Sequence, residues 1–262
     1  MTRRLALMLA LLAPATAVAK PQRMSKAAFK PATRPPSYVQ LRKLAKLAAT
    51  PQVQTYSRIK ALGGTRFAAL VGMRSKAASV QMPKLYLVVV EKRAGSWHVE
   101  RALLADYAPI ARAFDSKANC AKVLVSLYVS DYDWDGKPEV KVRHRLKRCD
   151  EDGSPIKWAP TQLDIYNTSP LRPALRTKMK IGKGNAQYKD YTSKVTHRDV
   201  NKDGHPDLLI RTQRDEDSPN IDKSEHEVSL RTYHYLPSAD RYKLISDKVL
   251  VYKEGSFSKP QR

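Results

Sequence analysis

Two ten-residue stretches of this chain follow one pattern: DYDWDGKPEV, from Asp131 to Val140, and DVNKDGHPDL, from Asp199 to Leu208. Each places oxygen-bearing side chains at positions 1, 3, 5 and 9, glycine at 6, proline at 8 and an aliphatic residue at 10. They start 68 residues apart, and both are flanked by sequence of period two, the period of a β-strand. A motif duplicated at such a distance constrains the fold more than any bulk property. One unit alone cannot bury its apolar face, whereas stacked copies can.

The strands around the first motif have a definite register. If residues between Cys120 and Cys149 pair so that their numbers sum to 269, Val129 meets Val140, Leu127 meets Val142, Val125 meets His144 and Val123 meets Leu146. One face of the hairpin is then almost wholly apolar, while the other pairs Tyr128 with Lys141, Ser126 with Arg143 and Leu124 with Arg145. Beyond each motif the returning strand runs into an acidic turn, Asp150 to Pro155 and Asp215 to Pro219, followed by two more strand-like segments. The reading is an all-β fold of tandem four-stranded antiparallel repeats, about 120–182 and 190–252, within a β domain spanning 57–256. The segments RFAALVGM, KLYLVVVEK and SWHVERALL, between Arg66 and Leu104, read as a degenerate third copy without an acidic loop. Arg93-Ala94-Gly95-Ser96 joins the last two as a hairpin.

The chain begins as a secretory signal peptide begins. Arg3 and Arg4 precede the apolar run Leu5 to Ala13 and the small-residue end Ala17-Val18-Ala19, so residues 1–19 are expected to be cleaved before Lys20. The apolar run is nine residues long, too short for a membrane span, and no other segment qualifies as one. The mature protein is expected to be exported, periplasmic or secreted. In an oxidising compartment the two cysteines read as a disulfide, and the register that buries the apolar residues also sets Cys120 opposite Cys149.

Residues 20–36 are Pro- and Lys-rich and read as a flexible basic leader. Residues 37–50 read as a short amphipathic helix with Ser37 as N-cap and Pro51 as stop. Tyr38, Leu41, Leu44, Ala45 and Ala48 form its apolar face, expected to pack on the domain rather than on a membrane. Peripheral membrane contact stays a second option. The formal charge of +23 becomes +21 without Arg3 and Arg4, and Lys20 to Val90 holds fourteen Lys or Arg and no acid. Such a surface attracts polyanions. Export and the lack of a recognition motif set nucleic acid aside, leaving an anionic envelope polymer or a protein partner.

Four carboxylates at Asp131, Asp133, Asp135 and Glu139 repel one another unless a cation neutralises them, and a polar turn needs no such crowding. Calcium, a hard ion taking six to eight oxygens, fits. The expected ligands are Asp131, Asp133, Asp135, the Lys137 carbonyl and Glu139 in one loop. In the other they are Asp199, Asn201, Asp203, the His205 carbonyl and Asp207, giving two calcium sites. An EF-hand is excluded, since position 12 is Val142 or Ile210 instead of glutamate and the flanks are strands.

These residues resemble the FG-GAP/VCBS-type repeat, whose loop runs Asp-x-Asp/Asn-x-Asp-Gly-x-x-Asp/Glu-aliphatic on a hairpin. The resemblance covers about Cys120 to Tyr252 and implies blades of a calcium-binding β-propeller, of the kind found in integrin α heads and exported bacterial proteins. Glu139 stands where the family usually has Asp. Two clear repeats and one degenerate one point to a small propeller-like or sandwich-like domain instead of a seven-bladed ring.

Elsewhere little chemistry is written. The histidines, His98, His144, His197, His205, His226 and His234, show no zinc spacing, and no nucleophile elbow or phosphate loop occurs. His144, on the apolar hairpin face, reads as a satisfied core residue. The reading is therefore a non-enzymatic, exported, calcium-binding protein with no catalytic residues. The alternatives are a calcium-dependent hydrolase of phosphate-bearing or polyanionic substrates, and a periplasmic inhibitor of a cell-wall hydrolase.

Overall fold

A computed structural model describes residues 23–44, 53–55, 59–73, 84–106, 122–147, 159–178, 188–216 and 225–253. Cys120 and Cys149, the signal peptide, the first Asp-Glu-Asp turn and the second from Asp217 on lie outside these residues, while Asp215 and Glu216, read as the start of that turn, end a strand paired with Glu225 and His226. The architecture is all-β, in three antiparallel sheets.

Strands β1 (Val53–Thr55), β2 (Lys60–Gly63), β3 (Arg66–Met73), β4 (Lys84–Arg93) and β5 (Ser96–Asp106) make the first sheet. β1 and β2 both pair with β3, at opposite ends of the same strand, so five strands fill four positions. The second sheet is the meander β6 (Lys122–Ser130), β7 (Glu139–Lys147), β8 (Ala159–Thr168) and β9 (Leu171–Lys178). The third repeats it with β10 (Tyr188–Arg198), β11 (Asp207–Glu216), β12 (Glu225–Leu236) and β13 (Arg241–Lys253). The β6–β7 register is the one that burial dictates, with Val129 opposite Val140, Leu127 opposite Val142 and Val125 opposite His144. The β4–β5 turn falls at Ala94-Gly95, both with positive φ (46° and 84°), as a tight hairpin turn matched to strand twist requires.

The sheets stack face to face, with the second in the middle. Its apolar face, carrying Val125, Leu127, Val140, Val142 and Tyr166, packs on Leu70, Leu85, Leu87 and Leu104 of the first sheet. On its other face Leu163, Ile165 and Leu175 meet Leu208, Ile210, Tyr233 and Tyr235 of the third. Each fully buried aliphatic side chain contributes about 1.5–3 kcal/mol, so these two seams hold the stack. His144 sits fully buried with its Nε2 3.2 Å from the equally buried Asp164, whose two carboxylate oxygens also accept hydrogen bonds from Gln162. It is the satisfied core histidine its position implies.

Helix α1 (Tyr38–Leu44) closes the far face of the first sheet, with Leu41 buried among Phe67, Ala69, Val71, Val88 and Val90. Ser37 and Gln40 cap it reciprocally: Gln40 N–H donates to Ser37 Oγ at 3.2 Å and Ser37 N–H to Gln40 Oε1 at 2.8 Å. Tyr38, placed by periodicity on the apolar face, is instead 43% exposed, and the rest of the expected helix, residues 45–50, lies outside the described residues. No helix among the described residues is long and apolar enough to cross a membrane.

The end of the stretch read as a leader lies along the first sheet. It forms a 3₁₀ turn at Lys26–Phe29 and bridges Pro31 to Gly64. A Cβ at Gly63, whose φ is 104°, would lie 2.6 Å from the Ala28 carbonyl oxygen, so glycine permits this close approach. The path carries Arg23 and Met24 to the tip of the β6–β7 hairpin, where Arg23 donates to Ser130 Oγ at 3.0 Å.

Candidate metal centre

The two acidic motifs form the β6–β7 and β10–β11 hairpin tips, and their backbones match position by position. Trp134 and Lys202, at position 4, have φ of 61° and 62°; Gly136 and Gly204, at position 6, have 82° and 94°. A tryptophan and a lysine adopt the same left-handed conformation because the surrounding hydrogen bonds impose it. The position 5 N–H donates to the position 3 side chain, Asp135 to Asp133 at 3.1 Å and Asp203 to Asn201 at 3.2 Å. The position 7 N–H donates to position 5, Lys137 to Asp135 and His205 to Asp203, both at 2.8 Å. The carboxylate at position 9 reaches back to the position 2 N–H, Glu139 to Tyr132 at 2.6 Å and Asp207 to Val200 at 2.9 Å. Each loop is therefore a preorganised ring of inward-turned oxygens.

Their surroundings differ. The first loop is the tip of the middle sheet and is walled by its neighbours. Asp131, Asp133 and Glu139 are 1%, 1% and 3% exposed, and one oxygen from each lies within 4.8 Å of the others. Met24 N–H donates to Asp131 Oδ2 at 2.7 Å, while Asp131 Oδ1 is buried with no hydrogen-bond partner. Tyr242 donates to the Tyr132 carbonyl at 3.1 Å from the third sheet. Asp135 does not join the first trio. It groups with Asp133 and Asp240, the latter from the β12–β13 turn, and takes a salt bridge from Lys137 Nζ at 2.7 Å. Asp240 also accepts from Tyr235 Oη at 2.8 Å and pairs with Arg172.

The second loop belongs to the end sheet, and its Asn201, Lys202 and Asp203 are exposed. Its acids form no comparable trio among the described residues. Asp207 is fully buried, but its oxygens accept from Val200, Asn201 and Tyr235 backbone N–H groups. Asp199 Oδ2 accepts from Gly204 N–H at 3.0 Å, and Asp199 Oδ1, like its counterpart in the first loop, is buried without a partner. The His205 ring turns out of its own loop, Nδ1 lying 3.0 Å from the Asp133 carbonyl.

Burial dominates the electrostatics. It raises the Asp131 carboxyl, raises Asp133 to about 6 with the Asp135 charge adding to the effect, and raises Glu139 to about 10 with Asp133 second. Acids held so far above their usual range want positive charge nearby. All the side-chain donors are hard oxygens, as calcium or magnesium requires, and the orphaned Asp131 Oδ1 gives a cation a ligand that nothing else uses. The residues present thus fit the ion. Asp240 was not legible as a member, since its turn reaches the cluster only through the packing of the third sheet on the second. No family model, curated protein or solved structure matches the chain.

Proposed function

We propose that this is a calcium-binding β-repeat protein of the exported kind, non-enzymatic, in which ions at the hairpin tips lock adjacent sheets together and the basic surface engages an anionic envelope polymer. The observation that carries the reading is the buried trio Asp131, Asp133 and Glu139 with one carboxylate oxygen left unpartnered. Three ionised acids in so small a buried volume would be strongly destabilising alone, and a divalent ion offsets that repulsion. Calcium would be held by these three in the first loop, with the Lys137 carbonyl at the position the repeat reserves for a backbone ligand. Asp199, Asn201, Asp203 and Asp207, with the His205 carbonyl, would form a weaker second site. The resemblance to FG-GAP/VCBS repeats supports these ligand sets and adds Asp135 to the first. The excess of lysine and arginine supports the polyanionic partner.

The role of the ion follows from where the first loop sits. Its ligands touch the leader through Met24, and the loop touches the third sheet through His205, Tyr242 and Asp240. Filling the site therefore stabilises contacts among distant parts of the chain. Binding to the folded state alone adds about 2.7 kcal/mol at a hundredfold excess over Kd. Thermal melting with calcium and with chelator tests the reading: the midpoint rises with calcium, and an unchanged midpoint overturns it.

A further inference from the structure

The basic face of the β6–β7 hairpin points towards the third sheet, but the apolar seam between those sheets is centred on β8, β9, β11, β12 and β13, with only Val195 of β10 packed at its margin. At the β6 and β10 edges the sheets do not close on one another. They leave a half-open cleft of about 650 Å³, roofed by the leader and by β2. Its wall carries the cations Arg23, Lys60 and Lys141, the aromatic rings of Tyr128 and Trp134, and His197. Asp131 is its one acidic lining residue among the described residues, and that carboxylate is committed to Met24 N–H and the candidate metal centre.

These cations differ from the others near the tips. Arg66 pairs with Glu91, Arg172 with Asp240 and Lys137 with Asp135, whereas Lys60 and Lys141 have no ion pair among the described residues. Lys141 Nζ is held 4.3 Å from the centroid of the Tyr132 ring and 5.9 Å from that of Tyr128, which fixes it facing the cleft. Like charges gathered at a partly buried site without a counterion leave their attraction for an anion unspent. His197 stacks on Tyr132 with centroids 4.8 Å apart and both ring nitrogens are buried, so its ring closes the floor of the cleft.

We infer that this inter-sheet cleft binds an oxyanion carried on a sugar ring, with Arg23, Lys60 and Lys141 taking the anion and Tyr128 and Trp134 lying against the ring. The volume suits a single sugar phosphate or sugar acid, as small-ligand pockets of several hundred Å³ do. The inference rests on the anionic-polymer reading for the source of the ligand, since such a unit would be one residue of that polymer. It does not need calcium.

The test is fluorescence and calorimetric titration of the full chain with glucose 6-phosphate, glucuronate, glucose and inorganic phosphate. The cleft predicts saturable binding of glucose 6-phosphate that weakens with added salt, about tenfold weaker in Lys141→Gln, as expected for losing one charge-assisted contact. Glucose should bind at least as poorly as that variant binds the phosphate ester. Glucuronate binding more tightly than the phosphate ester assigns the site to a carboxylate, weaker glucuronate binding assigns it to a phosphate, and equal binding supports a site that takes either oxyanion. Lys60→Gln, at an exposed position, gives the same readout should Lys141→Gln fail to fold, and Lys92→Gln, outside the cleft, leaves binding unchanged. No binding of either sugar anion, or equal binding by wild type and both cleft variants, overturns the inference. Polygalacturonate retained under those outcomes would sink the cleft alone, and polygalacturonate lost as well would sink the polymer reading with it.

Discussion

His205 Nδ1 lies 3.0 Å from the carbonyl oxygen of Asp133, so a side chain of the second acidic loop rests on the backbone of the first. The same ring packs against Tyr235 at 5.3 Å between centroids. The two repeats therefore meet at their loops as well as through their apolar faces, and whatever orders one loop is felt by the other.

His205→Ala removes that hydrogen bond and the ring contact. The expected loss is about 1–2 kcal/mol, read as a drop of a few degrees in the melting midpoint. Calcium should still raise the midpoint of the variant, because His205 contributes no side-chain ligand to the first site.

Glu139→Gln should act with opposite signs in the two states. With calcium present the variant loses a charged ligand, and its midpoint falls below wild type. In chelator at pH 8 it melts at or above wild type, because a buried acid is gone while the amide oxygen can still accept from Tyr132 N–H. Paired melts measure both, and a variant less stable in chelator as well would contradict the account.

The buried acids should make the ion-free protein lose stability as pH rises above about 7, whereas below that the buried His197, lowered to about 3 by desolvation, acts in the opposite sense. Asp133 is raised to about 6 from 3.8 and Glu139 to about 10 from 4.5, so the folded state keeps protons that the unfolded chain releases. Stability from these groups is complete below the unfolded values. It falls between about pH 4 and 6 through both groups, and on towards 10 through Glu139. Calcium, which favours the ionised acids, should flatten or reverse that slope, with affinity rising as pH rises. Chemical denaturation across pH 5 to 9, with and without calcium, gives both trends.

Much of the fold could be read before any coordinates. Burial chose the β6–β7 register, the duplicated tips gave the repeat, and Ser37, read as an N-cap, placed the helix start. These are local signals, set by residues within one hairpin or one turn. The candidate site was legible as two loops but not as one asymmetric assembly. Met24 and Tyr242 each reach the first loop across more than a hundred residues, and Asp240 arrives from a turn with no acidic repeat. Those contacts depend on sheet stacking order, which alternation along a strand does not encode. The same order explains why identical loop hydrogen bonds gather three acids in the middle sheet but not in the end sheet.

That asymmetry makes the second loop the weaker one. Asp203→Ala should loosen Asn201 to His205 more than Asp135→Ala loosens Asp133 to Lys137, since the first loop is also held by Met24, Tyr242 and the His205 ring. Amide hydrogen exchange in calcium measures each loop separately. Equal loosening in the two variants would count against the difference.

Direct calcium titration of the full chain by calorimetry tests the central claim most closely. The account predicts two saturable sites of unequal affinity, with the tighter one abolished by Asp133→Asn and the weaker one by Asp203→Asn. A wild-type chain that takes up no calcium at millimolar concentration, or whose uptake is untouched by Asp133→Asn, would contradict it.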